Sequence, residues 1–515
     1  MASEANTTAS LQHESEKHHH HHLKDVLPKD RRYVGTKETV AYILYDISRS
    51  FNIGKYNDIF ITDIVKIGLK FQPIVTLIVG LWDIINDVFL ATFIDKTRTR
   101  FGKFKPYLVI YAIPGVLLSL FYWWLPVIFS GRDPYNIVML TTYMVFSLVS
   151  NFAGSMNEIA RVGMLSTITP NILDRTRLIT QANLLSGFVE KGPEILMGVF
   201  IDLVNNGKIN IKMTSLYVSA GTFTTVVAGA MAFYFACVAK ERVMQTVEKP
   251  SVKENFKSIF KNKPLLLITL SEFLGAFSIS SGTNFYYINV LGLASMSTIV
   301  GIPGAIVSPI SYSYVPWARR KFSTKALWLV SSHIGDVLML GVYIVGSINK
   351  NFKKRLPMIL AFMARETLWM FVWGLRSVIP EEMRNEAIDY GEWKNGYRNE
   401  GMTGVAKGLA TKFVSTFGGT IKGAILASIG YNQENAGYGK QSEKVERSLF
   451  AMCTILPVAT GALSVIPKLF YDLSGEKRDR MYRELHERRK LAMKKEDVSK
   501  DKQNNGEEPE TGSAG

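Results

Sequence analysis

Long apolar blocks alternate with short charged connections along most of the chain. A helix needs about 20 residues to cross the roughly 30 Å apolar core of a bilayer. Blocks of this length lie at 107–129, 136–156, 214–238, 264–290, 325–347, 356–375 and 447–471. More polar blocks fill the intervals at 39–62, 71–94, 177–203, 293–316 and 401–430. The pattern predicts an all-α membrane protein with twelve transmembrane helices.

The longest polar interruption, at 240–263, divides the predicted spans six and six. A basic loop follows an early helix pair in each half, a weak internal repeat of the kind that two parallel transporter halves produce. The C-terminal tail is expected to form a short charged helix followed by disorder. We expect these parts: a disordered tail (1–36), a six-helix half (37–239), a linker (240–263), a second six-helix half (264–471) and a charged tail (472–515).

The formal net charge of +16 would favour a nucleic-acid partner in a soluble protein. In this chain, however, lysine and arginine crowd the predicted connections and the C-terminal tail. Basic connections mark the cytoplasmic side of a membrane protein. We therefore expect no nucleic-acid partner, a multi-pass protein of the plasma membrane, and both termini in the cytoplasm. The basic stretch at 349–355 runs against this orientation.

The positions of cysteine and histidine argue against a disulfide-bonded protein and a zinc enzyme. Cys237 and Cys453 both lie in apolar blocks, so we expect no disulfide framework. The first 36 residues are polar, so we expect no cleavable signal peptide. The tract His18–His22 resembles a metal-binding tract or a purification tag, and only His333 and His486 lie outside the N-terminal tail. We find no zinc site or nucleophile–base pair, and expect neither an enzyme nor a cofactor beyond a coupling ion.

Many ionisable residues lie inside the predicted spans. Each costs at least about 2.5–3.5 kcal/mol near the bilayer centre, so each needs a partner, a cavity or a task. A water-accessible central cavity would explain them together. They are Asp46, Arg49, Asp83, Asp87, Glu158, Arg161, Glu190, Lys191, Glu194, Glu272, Asp336, Arg365, Glu366 and Lys412.

Asp83 and Asp87 lie four residues apart, so both carboxylates project from one helix face, with Asn86 on the same side. Two close carboxylates repel each other unless a cation lies between them. Such a cluster of oxygen donors suits Na⁺ or a proton. The alternative is that Lys412 or Arg161 neutralises both acids in structural ion pairs.

Three motifs resemble those of one known family. The stretch "WDIINDVFLATFIDKTRTRFGKFKPY" at 82–107 resembles the helix 2 and loop 2–3 signature of the glycoside–pentoside–hexuronide:cation symporters. This family is a branch of the major facilitator superfamily that includes the melibiose permease. "LDRTRL" at 173–178 resembles its loop 4–5, and "DYGEWKNGYRNEG" at 389–401 its signature between helices 10 and 11. The resemblance implies two six-helix halves and transport by alternating access.

The resemblance carries the family's cation site onto Asp83, Asn86 and Asp87. The hydroxyl of Ser155 replaces a nearby family threonine. These four residues would be the Na⁺ ligands if the symporter is coupled to sodium; H⁺ and Li⁺ are the other candidate ions.

The family's sugar-binding residues carry over less completely. The helix 4 aspartate falls on Glu158, the helix 11 lysine on Lys412, and the helix 1 aspartate near Asp46 with a slip of one residue. Lys412 has three alternative tasks: binding substrate, replacing the cation in an empty site, or acting as a structural counter-ion.

Some family residues are absent. A sugar-contacting arginine falls on Ala182 and a tryptophan on Val162, while Val88 and Ala91 replace a proline and a glycine after the helix 2 acids. The cation chemistry is therefore expected to be retained, whereas the usual galactoside pocket is not.

We hypothesise that Arg161 or Lys191 supplies the positive charge missing at the family's arginine position, which would favour an acidic sugar. The alternative is that Arg161 pairs with Glu158, one turn away, or extends to the cytoplasmic interface. Trp373, with Trp369, is a candidate for stacking on a sugar ring, the alternative being ordinary packing.

The run from Asp95 to Lys105 resembles the superfamily's loop 2–3 motif. Asp95, Arg98 and Arg100 would form a gate whose ion pairs break as the halves rock. The alternative is a topology signal alone.

We therefore predict a monomeric secondary transporter that couples the symport of a sugar or glycoside to a cation. The alternatives are a carrier of lysolipids or other amphiphiles on the same fold, and a substrate sensor that does not transport.

Overall fold

A computed structural model describes residues 33–96, 99, 101–169, 172–189, 191–242, 262–276, 282–395, 401–473 and 475–488. The chain forms an N-terminal unit (Met1–Ile67 and Ile85–Glu248) and a C-terminal unit (Gly68–Ile84 and Lys249–Gly515). The His18–His22 tract, most of the predicted linker and the end of the C-terminal tail lie outside the described residues. Within them, every regular element is helical apart from one isolated bridge between Thr99 and Gly102.

The N-terminal unit is built from helices of 14 to 31 residues, and the helix called α2 crosses the boundary between the units. The helices are α1 (Thr36–Ser50), α2 (Gln72–Lys96), α3 (Lys105–Ile128), α4 (Ile137–Thr167), α5 (Ile172–Val189), α6 (Gly192–Asn205) and α7 (Met213–Val238).

The predicted first span, 39–62, is not one helix. α1 ends at Ser50, and a turn follows in which the Asn52 side chain accepts the Gly54 N–H at 2.7 Å. Asparagine side chains compete with helical hydrogen bonds in this way, which explains the break. The chain then continues through a short 3₁₀ turn and a helical segment to a π-helical stretch, Phe60–Val65.

The predicted span 177–203 is also divided, into α5 and α6. Pro193 lies in the first turn of α6, where its missing N–H costs no helical hydrogen bond. A proline at this place starts a new helix, so the apolar block alone did not predict the break.

Aromatic packing and small residues hold the N-terminal unit together. Tyr45 of α1 stacks on Phe235 of α7 with ring centroids 4.5 Å apart. A β-carbon at Gly221 of α7 would collide with the Trp123 ring of α3. Glycine therefore lets α3 and α7 approach closely, as small residues do between membrane helices.

The C-terminal unit contains eleven further α-helices of five or more residues among the described residues, besides the single turn Thr283–Tyr286. They are α8 (Lys263–Ala276), α9 (Met296–Ser311), α10 (Val315–Lys321), α11 (Thr324–Ser347), α12 (Arg355–Met370), α13 (Trp373–Asn395), α14 (Gly401–Ser428), α15 (Glu443–Cys453), α16 (Ile455–Ala462), α17 (Val465–Leu469) and α18 (476–488).

The two units share one local arrangement. In the N-terminal unit, the π-helical stretch ends at Lys66, which has the left-handed φ of 63°. In the C-terminal unit, the π-helical stretch Tyr287–Leu291 ends at Gly292, with φ 65°. A β-carbon at Gly292 would lie 2.7 Å from the Tyr438 ring, so both the backbone and the space favour glycine there. The first predicted span of each half thus ends in a π-helical stretch followed by a residue with a left-handed backbone.

The short charged helix predicted in the C-terminal tail is α18. Its apolar residues Met481 and Leu485 are buried in a core shared with α8, α11 and α13. The charged residues of α18 remain at its surface, so the helix packs on the C-terminal unit by one amphipathic stripe.

Five described helical stretches are long and apolar enough to cross a membrane, and seven if two bent pairs each count as one span. The bent pairs are α9 with α10, at 61°, and α12 with α13, at 45°. The described parts of the other predicted spans are also mostly helical but are shorter, broken or more polar. The count of twelve therefore stays a prediction. The five are Lys105–Ile128, Ile137–Leu165, Met213–Val238, Thr324–Lys353 and Glu443–Leu469.

Candidate cation and substrate sites

Glycine residues bring the first half of α2 close to α14. A β-carbon at Gly80 would collide with the Thr416 side chain, and one at Gly423 would lie 2.9 Å from Pro73. Because hydrogen takes the place of a side chain at both points, the two helices can pack closely. This close packing brings a side chain of α14 next to Asp83 of α2.

The α14 side chain next to Asp83 is that of Lys412, one turn before Thr416. Its Nζ lies 2.8 Å from Oδ2 of Asp83 and also donates to the Asp83 carbonyl at 3.4 Å. Both side chains are largely withdrawn from solvent, with 26% of Lys412 and 20% of Asp83 exposed. A charge-assisted hydrogen bond in such a place is stronger than one between surface groups. Lys412 is therefore the counter-ion of the first acid on α2.

Asn86 lies on the same helix, one turn after Asp83, and is 2% exposed. Neither its Oδ1 nor its Nδ2 has a hydrogen-bond partner among the described residues. A buried amide without a partner costs about 1–3 kcal/mol, so such groups are rare unless a ligand satisfies them. The Oδ1 atom is a hard oxygen donor of the kind that binds Na⁺ or Li⁺. The residue type and its surroundings fit a cation ligand.

Asp87 and Ser155 are both half-buried. Asp87 follows Asn86 on α2, and Ser155 lies in the second half of α4, one turn before Glu158. The described residues contain no group of three or more His, Cys, Asp or Glu side chains that could hold a metal. A cation bound at α2 would therefore depend on amide or hydroxyl oxygens as well as carboxylates.

Asp46 of α1 is held by two neighbours. Its Oδ2 accepts a hydrogen bond from the Ser186 hydroxyl of α5 at 2.9 Å, and its Oδ1 lies 3.3 Å from Nη1 of Arg49. The Asp46 side chain is 16% exposed, whereas Arg49 is 43% exposed. Arg49 therefore keeps donors that Asp46 does not use.

Glu158 and Arg161 form a two-pronged ion pair along one face of α4. The Arg161 Nε donates to Glu158 Oε2 at 2.8 Å, and Nη2 contacts Oε1. Pairing of Arg161 with Glu158 is the alternative to the hypothesis that Arg161 is free to bind an acidic sugar. Ala182, where the family has an arginine, is only 1% exposed and lies in the apolar core of the unit.

Two cavities in the N-terminal unit adjoin these residues. Asp46, Arg49 and Arg161 line a small one. A larger one of about 720 Å³ lies among α1, α3, α4 and α7, and shares Tyr45 and Arg49 with the first. Its size falls within the range of ligand pockets, and hydroxyl, amide and aromatic side chains line it. The structure thus brings two predicted substrate residues, Asp46 and Arg161, to the same place.

Trp373 begins α13 and is half-buried. Its ring packs edge-to-face on Trp369 with centroids 5.6 Å apart. Trp369 itself has guanidinium groups near its ring, Arg365 at 4.6 Å and Arg376 at 5.0 Å from the centroid. Sequence reasoning did not select Arg376; the signal was present in its spacing of seven residues after Trp369.

Most described charges within the predicted spans have an ion-pair or hydrogen-bond partner. In the C-terminal unit, Glu272 contacts Arg384, Arg365 lies 2.6 Å from Glu366, and Asp336 lies 2.9 Å from His333. In the N-terminal unit, Lys191 lies 3.9 Å from Glu194 and is 61% exposed. Pairing lowers the cost of burying these groups. It accounts for most of them without assigning a task to each.

Only one part of the predicted gate can be placed: Asp95 lies in the last turn of α2, while Arg98 and Arg100 fall outside the described residues. The side chains of Val88, Ala91 and Val162 are outside them too.

The end of the same loop is held by Glu241, a residue that sequence reasoning did not select. Its carboxylate accepts the backbone N–H groups of Lys103, Phe104 and Lys105 at 2.9, 2.7 and 2.6 Å. These groups open helix α3, where a negative charge is stabilised by the helix dipole. The next residue, Arg242, pairs with Glu38 of α1.

The all-helical fold and these buried ionisable groups are typical of transporters of the major facilitator superfamily. A variant of the nucleoside transporter NupG matches this chain with a TM-score of 0.53, 13% identity, and coverage of 84% of this chain and 98% of that one. A bacterial homologue of the human lysosomal transporter Spinster matches with a TM-score of 0.50 at 12% identity, covering 84% and 95%. At such identities the matches show the fold alone.

The chain belongs to the MFS/sugar transport protein family, whose model matches residues 40–475. Relatives include the glucuronide carrier protein homologue of Escherichia coli (strain K12), 23% identical over 88% of this chain and 96% of its own. The isoprimeverose transporter of Lactiplantibacillus pentosus is 24% identical over 86% and 89%. The putative sulfoquinovose importer of E. coli K12 is 25% identical over 86% and 91%. These matches confirm the family, the fold class and the secondary-transporter class predicted from the three motifs.

Proposed function

We propose that this protein couples the symport of a sugar or glycoside to the entry of a cation by alternating access. The observation that carries the proposal is Asn86, a buried amide without a partner among the described residues, between two acids on one helix. A proton needs only a carboxylate, whereas an amide oxygen is a ligand for a metal ion. Na⁺ or Li⁺ is therefore favoured over H⁺.

The cation binds to Asp83, Asn86 and Asp87 of α2, and the hydroxyl of Ser155 completes the set. Without the cation, the Lys412 ammonium neutralises Asp83 at 2.8 Å. The arriving cation takes over that task and frees Lys412 to bind substrate. Coupling follows because, among the described residues, the empty site has two acids and only the one ammonium of Lys412, and a charged site resists closure into a dry, low-dielectric state.

The substrate binds beside this site, to Asp46, Glu158, Arg161, Trp373 and Lys412. Carboxylates and guanidinium groups can hydrogen-bond sugar hydroxyls, and an indole can stack on a sugar ring. Among the relatives, names that include a glucuronide and sulfoquinovose support an acidic sugar. The substrate class is a sugar or glycoside, with an acidic sugar preferred.

The protein is a multi-pass membrane protein, which its family and its apolar helices support. We further infer that it acts as a monomer in the plasma membrane with both termini in the cytoplasm. The support for this orientation is the concentration of basic residues in the predicted cytoplasmic connections. Asp95, Arg98 and Arg100 form the gate on that side.

Uptake into proteoliposomes with and without a Na⁺ gradient tests the proposal. Asp87→Cys removes a cation ligand and should abolish Na⁺-stimulated uptake of radiolabelled sugar. The matched control, Asp133→Cys, removes an exposed acid from the loop before α4 and should retain stimulation. Full stimulation in the Asp87→Cys variant would refute the assignment.

Two alternatives remain distinguishable on the same protein. A lysolipid carrier would move labelled lysophosphatidylcholine between leaflets, and its transport would not be inhibited by sugars. A sensor would bind a sugar but show no counterflow across the membrane. The lining of the 720 Å³ cavity includes Asn151, Ser147 and Ser119, whose side chains can hydrogen-bond sugar hydroxyls, although more of the lining is apolar than polar.

A further inference from the structure

One arginine of the C-terminal unit lacks the ion pair that Glu272, Arg365 and Lys412 each have. Arg376, in the first turn of α13, forms no ion pair and no side-chain hydrogen bond with any described residue. It is an exposed residue in a bent helix pair apolar enough to span a membrane. A guanidinium carries five donors and stays charged at any physiological pH. Arg376 therefore offers an unsatisfied cationic fork.

The guanidinium of Arg376 lies over an indole that a second arginine shares. Its centre is 5.0 Å from the Trp369 ring centroid, and that of Arg365 is 4.6 Å from the same centroid. Arg365 uses Nη1 to bind Glu366 at 2.6 Å, but its buried Nε has no hydrogen-bond partner among the described residues. The Trp369 ring thus holds the guanidinium groups of Arg365 and Arg376, and each group has N–H donors that form no hydrogen bond with a described residue.

The carboxylate that acts on Arg376, that of Asp336, already has another hydrogen-bond partner. Asp336 acts electrostatically on Arg376, but its Oδ2 contacts His333 Nδ1 at 2.9 Å. Lys468 Nζ binds the other side of that imidazole at 2.8 Å. Glu272 also acts electrostatically on Lys468, but it is paired with Arg384. Each of the three carboxylates of this cluster, those of Glu366, Asp336 and Glu272, thus contacts a group other than Arg376.

This cluster lies where α12 ends and α13 begins, level with the middle of α11. A β-carbon at Gly335 would lie 2.8 Å from Trp369 Cδ1 and 3.3 Å from Arg365 Nη2. Gly335 is the twelfth residue of the 24-residue helix α11, and Asp336 is the thirteenth. A cation at this level is costly toward lipid, so Arg376 must face an aqueous cavity or an anion. Such residues mark substrate pathways more often than they serve packing.

We propose that Arg376, with Arg365 and Trp369, binds the anionic group of the transported substrate, a carboxylate or sulfonate on a sugar. The inference rests on the proposed function and assigns the cation for an acidic sugar to the C-terminal unit. Arg161 is less suited because Glu158 occupies its fork. A planar guanidinium pairs with two oxygens of one anion, which gives both affinity and orientation. The indole supplies an apolar surface for the ring that bears the anion.

Ligand-induced thermal stabilisation of the purified full chain tests the site without requiring transport. The probes are methyl β-D-glucuronide, the neutral methyl β-D-glucoside, and a sugar sulfonate, 6-deoxy-6-sulfoglucose. We expect the two anionic probes to stabilise the parent protein more than the glucoside does. Arg376→Gln should lower the affinity for the anionic probes by about tenfold or more, and the affinity for the glucoside by less than about twofold. A loss for only one anionic probe identifies which anion the site takes.

A matched control is available on the same helix. Lys394 is an exposed cation 4.6 Å from the Trp393 ring centroid, so Lys394→Gln also removes a cation from a tryptophan of α13. It should leave the preference for anionic probes unchanged. Arg376→Lys keeps the charge but loses the fork, and should retain part of the preference, which guards against a variant that simply folds poorly.

Three outcomes overturn the site: no preference for anionic probes in the parent, an unchanged preference in Arg376→Gln, or an equal loss for glucuronide and glucoside. Na⁺-driven uptake is then measured separately. Anion-dependent stabilisation without uptake supports the site and refutes symport. Na⁺-driven uptake of the glucoside, with no preference for an anion, supports symport and refutes the site.

Discussion

The Nζ of Lys412 on α14 lies 2.8 Å from Oδ2 of Asp83 on α2, although the two residues are 329 positions apart in the chain. The contact depends on the close approach of α2 and α14 at Gly80. It links the predicted cation site to a residue of the predicted substrate site. The pair has a direct energetic consequence.

Removing one member of the pair should cost more than removing both. Lys412→Met leaves the Asp83 carboxylate with less compensation in a largely buried place, and should lower the free energy of unfolding by about 1–3 kcal/mol. The double variant Asp83→Asn/Lys412→Met should recover most of that loss. Denaturant unfolding of the four proteins in a double-mutant cycle measures the coupling. Additive losses would show that the pair has no coupling energy.

Asn86→Leu should separate folding from cation binding. Without Na⁺ the variant should be as stable as the parent or more stable by about 1 kcal/mol, because a buried amide without a partner is removed. The shift in melting temperature caused by Na⁺ should disappear. Asn151→Leu is the matched control, since its Oδ1 is also buried without a described partner but lies on α4, outside the cation site. A Na⁺ shift that survives in Asn86→Leu contradicts the assignment.

Glu241 should stabilise the start of α3. Glu241→Ala removes the acceptor of three backbone N–H groups and should lower the free energy of unfolding by about 1–3 kcal/mol. Hydrogen exchange at 103–105 should become faster at the same time. Lys240→Ala, which changes the exposed neighbour, should do neither. Equal exchange in the two variants would exclude this role.

Arg161→Gln should not act as a charge-specific variant. Because Arg161 already binds Glu158, its loss should lower the affinities for anionic and neutral sugar probes to a similar extent. Stabilisation by methyl β-D-glucuronide and methyl β-D-glucoside measures both. A selective loss of the glucuronide would restore Arg161 as the anion-binding residue.

Acid should loosen the docking of α18. Burial raises the pKa of the Asp472 carboxyl, but Lys477 at 2.9 Å and Lys263 at 3.0 Å outweigh it and hold the pKa below its ordinary value. A lowered pKa in the folded state stabilises the fold above the unfolded-state value of about 3.9 and loses that effect as the pH falls below it. The melting temperature should therefore fall between about pH 4 and pH 3 less steeply in Asp472→Asn than in the parent. Asp479→Asn, an exposed acid of α18, should behave as the parent does.

The sequence by itself determined the helical class, the membrane character and the family. Apolar blocks of about 20 residues have one stable form in a bilayer, the helix, because every backbone group must be satisfied internally. The spacing of Asp83, Asn86 and Asp87 fixed their common face, since helix geometry is local. The short charged helix in the tail followed from its charge pattern and was confirmed by α18. The cation site itself stays a prediction.

The sequence could not locate breaks inside predicted spans, because a single residue decides them. Asn52 turns the chain after α1 through its own side chain, and Pro193 starts α6. Neither residue interrupts the hydrophobic pattern enough to be seen in a window of about 20 residues.

Only the tertiary structure decided which charges have partners. Lys412 pairs with Asp83, Glu241 binds the start of α3 across 136 to 138 positions, and Arg376 forms no ion pair with any described residue. A hydropathy pattern gives each buried charge the same cost, whereas the real cost depends on what packing brings within about 4 Å. For that reason the sequence suggested Arg161 or Lys191 as the cation for an acidic sugar, with pairing of Arg161 to Glu158 as the alternative, and did not select Arg376. The physical difference is that one guanidinium is already occupied and the other is not.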